Sequence, residues 1–270
     1  KFTQMISKFS SIQSFQIMDL WHYLYRGLNF FLMNRFLLLI VSLIVIGITA
    51  LLSIPGSPLL IGGMTQADIS ALYPTPITPA WFTFSIWSLI YLFWVWAGIY
   101  TAFFQKGKQK VSLKVILWFS FTMIQTALWL IPWWFQWMWV ALIALLILLG
   151  TMWYTYSLSK NEPKIIQWSI ELTMGWIHIA TFANLAVWLT YIGAIKHGAT
   201  EIYWGMAILT IAFVATLIFE LRFRAHIVSF VFLWASFGIF YGQSYTDQTL
   251  LLCFYAVIIF IAYLSSLLRK

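Results

Sequence analysis

Runs of about twenty apolar residues, repeated along the chain, constrain its fold more than any other feature. A bilayer admits only segments that satisfy their own backbone hydrogen bonds, which means helices or closed barrels. Barrel strands show ten-residue alternation of apolar and polar side chains, so continuous runs select helices. Composition agrees: 63% of the residues are hydrophobic and 8% charged, with a mean hydropathy of +0.90. A water-soluble domain of 270 residues needs a far more polar surface. The expected fold is all-α, a polytopic transmembrane helix bundle of about eight spans. They are placed near Phe36–Leu52, Trp81–Phe103, Val111–Ile131, Trp137–Ser157, Ile165–Ile192, Ile202–Phe219, Ile227–Tyr241 and Thr249–Leu268. Pro132 and the tryptophans around it mark a turn between the third and fourth, making that pair a helical hairpin.

Charge tests the span count independently. Fourteen of the fifteen basic residues fall on connections of one side, and Lys196 alone lies on the other. The positive-inside rule produces such a bias, and here it requires an even number of spans. Both termini are therefore expected on the cytoplasmic, matrix or stromal side of a bacterial plasma membrane or an organellar inner membrane. The net charge of +8 follows from this bias. It does not signal nucleic-acid binding, because the cations are divided among short loops instead of forming one patch.

Two segments depart from the repeating pattern. Residues 1–35 mix Phe9, Ile12, Phe15 and Ile17 with Lys8, Ser10, Gln13 and Asp19, which reads as an amphipathic segment lying at the membrane surface. A docking surface for a partner is the alternative. The chain begins at Lys1 and not at Met, which a removed presequence or a stretch missing upstream would each explain. The longest connection runs from Ile54 to Pro79, and its prolines, with Gly56, Gly62 and Gly63, forbid a continuous helix. Within it, Thr65 to Tyr73 is expected to form a short helix capped by Thr65 and Asp68. A structured loop of this length either covers a cavity as a lid or folds over the bundle mouth.

Chemistry-bearing residues are few. From Ile77 to Tyr91 a Thr-Pro start meets an apolar run in which Trp81, Phe84, Trp87 and Tyr91 recur at near-helical spacing. Such an aromatic stripe is either packing and interfacial anchorage or a ligand face. The fifth span carries Glu171, His178 and Asn184, and polar groups inside lipid need partners. Glu171 lies close to the basic boundary, within expected reach of Lys114 or Arg222. A neutral His178 is expected to bond a neighbouring hydroxyl rather than a metal. Cys253 is the only cysteine, so no intrachain disulfide forms. The sequence shows no Gly-rich phosphate loop and no His/Cys/Asp/Glu cluster at metal-ligand spacing.

Gly62 to Tyr91, GGMTQADISALYPTPITPAWFTFSIWSLIY, resembles the longer branch of the translocator protein/tryptophan-rich sensory protein family, which includes the peripheral benzodiazepine receptor. The resemblance extends to Gly175, Trp176 and Asn184 in the fifth span and covers roughly Phe36 to Tyr191. It implies a five-helix core at 36–192 around a pocket for porphyrins and other apolar ligands, with three additional helices at 193–270. It also implies ligand-binding positions at Trp81, Phe84, Trp87, Tyr91, Thr126, Trp129, Trp176, His178 and Asn184. Thr126 stands where the family usually has Asn, and His178 where it often has a small hydroxyl residue.

These features imply a non-enzymatic membrane protein that binds a tetrapyrrole or a similar apolar ligand, with membrane lipids as its surroundings. A neutral sterol or lipid suits such a lining equally well, since the adjoining loop has no Lys or Arg for porphyrin carboxylates. The alternative is an accessory subunit of a respiratory or photosynthetic membrane complex, with a vestigial pocket. Transport ranks last, because neither an alternating-access repeat nor a polar path is evident. No acid/base pair is placed for catalysis.

Overall fold

Each apolar run that the structure describes is a helix, with ends within four residues of the expected boundaries. The structure is a computed structural model, and it describes residues 34–53, 57, 60–105, 110–195, 199–242, 255–256 and 258–265. The expected N-terminal interfacial segment up to residue 33, Cys253, most of the eighth span, and Lys106, Lys108, Lys196, Arg269 and Lys270 lie outside the described residues. We label the helices α1 (Asn34–Leu51), α2 (Gln66–Leu72), α3 (Trp81–Phe104), α4 (Leu113–Trp134), α5 (Met138–Leu158), α6 (Lys164–Tyr191), α7 (Ala199–Phe223) and α8 (His226–Gly242). A further helical stretch occupies 258–265. Six of these helices are long and apolar enough to cross a membrane, and α8, at 17 residues, is shorter. The chain is an all-α polytopic membrane helix bundle.

Successive spans run antiparallel, through short connections except between α1 and α3, where the contact of Phe36 with Phe103 sets the direction. The ends of α1, α4, α6 and α8 and the starts of α3, α5 and α7 therefore share one end of the bundle. The α2 segment covers that end, which we call the lid end. The opposite, basic end carries Lys110, Lys114, Lys160, Lys164, Arg222 and Arg224. Cross-contacts fix the register: Phe36 meets Phe103 at the basic end, and Tyr73 meets Tyr191 at the lid end.

The central helix is α6. Of its apolar stretch 61% is buried, against 22% for α1, and Ser169 to His178 are buried without a break. A helix apolar all round belongs in the interior. It packs against α3, α5, α7 and α8. At Gly175 an added Cβ would sit 3.1 Å from the Val228 backbone, so a small residue there sets how closely α8 approaches. By contrast α1 shows Ile40, Leu43, Ile44, Ile48 and Leu51 on its outer face, a stripe that suits lipid contact.

One turn lies elsewhere than expected. Helix α4 runs through Pro132 and ends at Trp134. Proline lacks one N–H, so the carbonyl of Leu128 loses its helical partner there, yet the helix continues for two more residues. The stop comes from Gln136, whose backbone is left-handed at φ 55°. Trp137 N–H donates to Pro132 O at 2.9 Å and Gln136 N–H to Trp133 O at 3.0 Å, the bond pair of a Schellman C-cap.

At the basic end polar groups are paired across helices. Glu220 of α7 lies 2.6 Å from His226 Nδ1 and accepts from Ser229 Oγ at 2.6 Å, both on α8. Glu171 accepts from the Ile227 N–H at 3.4 Å, so the expected Lys114 or Arg222 is replaced by the positive N-terminal end of α8. Tyr156 donates to Phe223 O at 3.1 Å, and Trp94 Nε1 to Thr173 Oγ1 at 2.8 Å.

Candidate functional site

The lid end is built differently. The α2 helix starts at a capping box: Asp68 N–H donates to Thr65 Oγ1 at 3.2 Å, and Thr65 N–H donates to Asp68 Oδ2 at 2.8 Å. The expected cap is present. The Thr65 N–H and then its hydroxyl hold the Asp68 carboxyl below the usual carboxylate range. The segment is tied down at three points. Gln66 Nε2 donates to Ser53 Oγ at 3.0 Å, Trp133 Nε1 donates to Gln66 O at 3.4 Å, and Tyr73 OH donates to Gln136 Oε1 at 2.5 Å. Partial desolvation, then nearby Tyr191, pushes the Tyr73 phenol up.

Beneath this lid lies a cavity of about 80 Å³, counted as room for the centre of a water-sized sphere. Its roof is Gln66, Ser70, Thr75, Ile77 and Thr78. Phe84 and Trp87 of α3, Trp129 and Trp133 of α4, and Trp176 of α6 form an aromatic wall. Trp176 meets Phe84 and Trp87 edge-to-face, with ring centroids 5.9 and 6.4 Å apart. Trp129 stacks on Trp133 at 5.4 Å. Ala180, Ala183 and Asn184 of α6 continue the lining, and Asn184 donates from Nδ2 to Ala180 O at 3.0 Å.

Five of the nine residues expected from sequence meet at this cavity: Phe84, Trp87, Trp129, Trp176 and Asn184. The other four stand apart. Trp81 is 81% exposed at the start of α3. Tyr91 packs on Trp87 and Trp94, deeper along α3. Thr126 is buried and returns its hydroxyl to Thr122 O of its own helix at 2.9 Å. His178 turns toward α7, with Nε2 3.2 Å from both Ala212 O and Thr216 Oγ1, and packs on Phe182 and Phe219. This is the expected contact with a neighbouring hydroxyl.

The residues that sequence reasoning missed come from α7 and α8: Ile208, Leu209 and Ala212, then Phe232, Ala235, Ser236 and Ile239. They belong to spans expected outside the five-helix core, yet they close one side of the cavity. Helix α8 is held there by the first turn of α3. Ala80 N–H donates to Gly238 O, and Trp234 Nε1 to Thr83 O, each at 2.9 Å. Small residues in α8, Ala235, Ser236, Gly238 and Gly242, were the available signal for this close packing.

Among the described residues the lining contains no Asp, Glu, Lys, Arg, His or Cys. Among the described residues no three His, Cys, Asp or Glu side chains come together as a metal-ligand group. What the arrangement can do is hold an apolar ring between tryptophan faces. Its volume is small beside the roughly 300–1,000 Å³ of ordinary ligand clefts. A macrocycle therefore requires the lid or a tryptophan to swing aside, whereas a smaller ring does not.

No curated protein and no solved structure matched the chain. A family model described as TSPO-like protein matches residues 35–267. That match takes in the aromatic wall, the lid and the α7–α8 side alike, and the chain belongs to the TSPO-like protein family.

Proposed function

We propose that this integral membrane protein is a non-catalytic binding protein for a flat apolar ligand, of the tetrapyrrole type or a similar ring. The observation that carries the reading is the cavity itself: a tryptophan-walled space beneath a hydrogen-bonded lid, lined by no ionisable side chain. Aromatic faces supply stacking and apolar area, while acid/base or nucleophilic groups are not at hand. In this reading the basic end faces the cytoplasmic, matrix or stromal side, as the charge bias favours, and the lid faces the opposite compartment.

The test is a titration with protoporphyrin IX dimethyl ester, read by tryptophan quenching in lipid nanodiscs, beside a Trp87→Ala, Trp176→Ala double variant. The ester tests the ring without its carboxylates. Partition into lipid affects both proteins alike, so the difference between them reports the cavity. Saturable quenching lost in the variant is the expected result. Identical, non-saturating curves would overturn the reading. Co-migration with a large assembly in a mild-detergent native gel would then favour an accessory subunit.

A further inference from the structure

We infer that a groove at the basic end binds one zwitterionic phospholipid of the phosphatidylethanolamine type. Glu162 receives its ammonium, Lys164 its phosphate, and Trp96 the upper part of an acyl chain. The site is separate from the lid cavity and does not depend on what that cavity holds. The groove measures about 470 Å³, counted in the same way as the lid cavity. Trp96 and Tyr100 of α3, with Ile165 of α6, form its apolar wall. Asn161, Glu162 and Lys164, where α5 passes into α6, form its polar wall.

The polar wall is held in place from behind. Gln167 is 9% exposed, and its Nε2 donates to Lys160 O at 3.2 Å and to Glu162 O at 2.6 Å. Its Oε1 accepts from Lys164 Nζ at 3.2 Å. Pro163 fixes the backbone between the two charged residues at φ −54°. Among the described residues neither Glu162 nor Lys164 forms an ion pair, with the other or with any third residue. The Glu162 carboxylate shares the one N–H of Ser112 between its oxygens, at 3.3 and 3.4 Å, so most of its accepting capacity remains. Lys164 spends one of three donors on Gln167. An anion and a cation thus line one groove with hydrogen-bonding capacity to spare.

The apolar wall sets the depth. Trp96 and Tyr100 stand one turn apart on the same face of α3, and Trp96 is 52% exposed. Trp96 lies eight residues before the end of α3 at Phe104, roughly 12 Å into the bilayer from the basic end. The last turn of the helix, Tyr100–Phe104, is a π turn, with Gln105 N–H donating to Tyr100 O at 3.1 Å, a feature that often accompanies functional sites. A ligand for this groove needs both charges at the surface and an apolar tail beside Trp96. Phosphatidylglycerol has no cation for Glu162. Phosphatidylcholine has one, but its quaternary nitrogen has no N–H to donate, and charge-assisted hydrogen bonds are the strong ones.

The test is native mass spectrometry of the full chain, purified in detergent and incubated with phosphatidylethanolamine, phosphatidylcholine or phosphatidylglycerol carrying one pair of acyl chains throughout. We expect one phosphatidylethanolamine retained per chain, about tenfold more tightly than the other two. Glu162→Gln should bring it to the level of phosphatidylcholine, and Lys164→Gln should weaken both. Arg222→Gln removes an exposed cation of α7 outside the groove and should leave the preference intact. Glycerophosphoethanolamine, the same head group without acyl chains, should not displace the lipid at about a hundredfold excess. Equal retention of the three lipids by the unmutated protein, or a preference for phosphatidylglycerol, overturns the inference. So does a preference that survives both Glu162→Gln and Lys164→Gln. Displacement by glycerophosphoethanolamine overturns it as well, because the occupant is then a free phosphoester and not a lipid.

Discussion

The two ends of this bundle differ in how many buried polar side-chain atoms find a partner among the described residues. At the basic end Glu220 is fully buried and both its oxygens are engaged, by His226 and Ser229. Glu171, Tyr156, Trp94 and Ser169 likewise reach across to other helices. In the lid half, Thr83, Gln125, Trp129, Trp134, Asn184 and Thr190 each hold a buried side-chain atom without a partner among the described residues, against Ser120 in the basic half. Paired polar groups rigidify and specify packing. Unpaired ones add no such tie between helices. The basic end holds the helices together, and the lid end keeps a space among them.

The contrast breaks most readily at Glu220. Glu220→Ala leaves the buried Ser229 hydroxyl without its partner and removes the contact with half-buried His226, and it should cost about 3 kcal/mol, read as a lower midpoint of thermal unfolding in detergent. A loss of less than about 1 kcal/mol would mean that the basic end is not the stabilising half. Gly238→Ala comes next. An added Cβ would lie 1.9 Å from Thr83 Oγ1, and Thr83 is a stiff β-branched residue on a tight turn. The expected cost is about 2 kcal/mol, with weaker ligand binding because α8 leaves the cavity wall. Gly150→Ala is the control, since nothing lies within 4 Å of its added Cβ, and it should leave stability unchanged or slightly raised.

How much of this was legible in the sequence follows from which forces act locally. The helices were, because lipid demands an apolar run of fixed length and the runs are long. The capping box was, because Thr65 and Asp68 are three residues apart. The turn at Pro132 was misplaced: proline is a local signal, but the left-handed Gln136 is not. Of the nine positions that the family resemblance implied, Phe84, Trp87, Trp129, Trp176 and Asn184 line the cavity, while Trp81 and Tyr91, which the helical stripe also named, stand outside it with Thr126 and His178. Trp81 is displaced because α8 anchors the turn beside it and takes Phe82 into its own aromatic cluster with Trp234, Phe237 and Tyr241. His178 faces α7 for a similar reason. Which face of a helix meets which neighbour depends on tertiary packing, and the spacing of one segment does not encode it.

The lid sharpens the comparison at a smaller scale. Thr65→Ala removes the side-chain half of the capping box and should cost about 1 kcal/mol of local stability, seen as several-fold faster hydrogen exchange in Gln66–Leu72 with no change at the basic end. Acid should act on the same cap. The Asp68 carboxyl is held below its ordinary value, so its contribution is complete above the unfolded Asp value of about 3.9. It is lost as pH falls through the lowered one. Exchange in α2, corrected for intrinsic rate, should therefore rise below that value in the unmutated protein and show no such acid step in Asp68→Asn.

The smallest effect on stability is expected where the sequence puts an amide inside a membrane helix. Asn184→Leu deletes a buried polar side chain of nearly the same size, a change that would be severe if the amide tied two helices together. Here its only recorded bond is to Ala180 O, one turn back on α6, and that carbonyl keeps its place in the helix ladder. Its oxygen has no partner to lose. Removing the unmet acceptor recovers a desolvation cost that roughly offsets the lost local bond, so unfolding should shift by less than about 0.5 kcal/mol in either direction. A buried amide that contributes little to stability is not part of what holds the helices together. If Asn184→Leu instead destabilised the bundle by 2 kcal/mol or more, the lid end would be held together like the basic end, and the difference between the two halves would be one of packing alone.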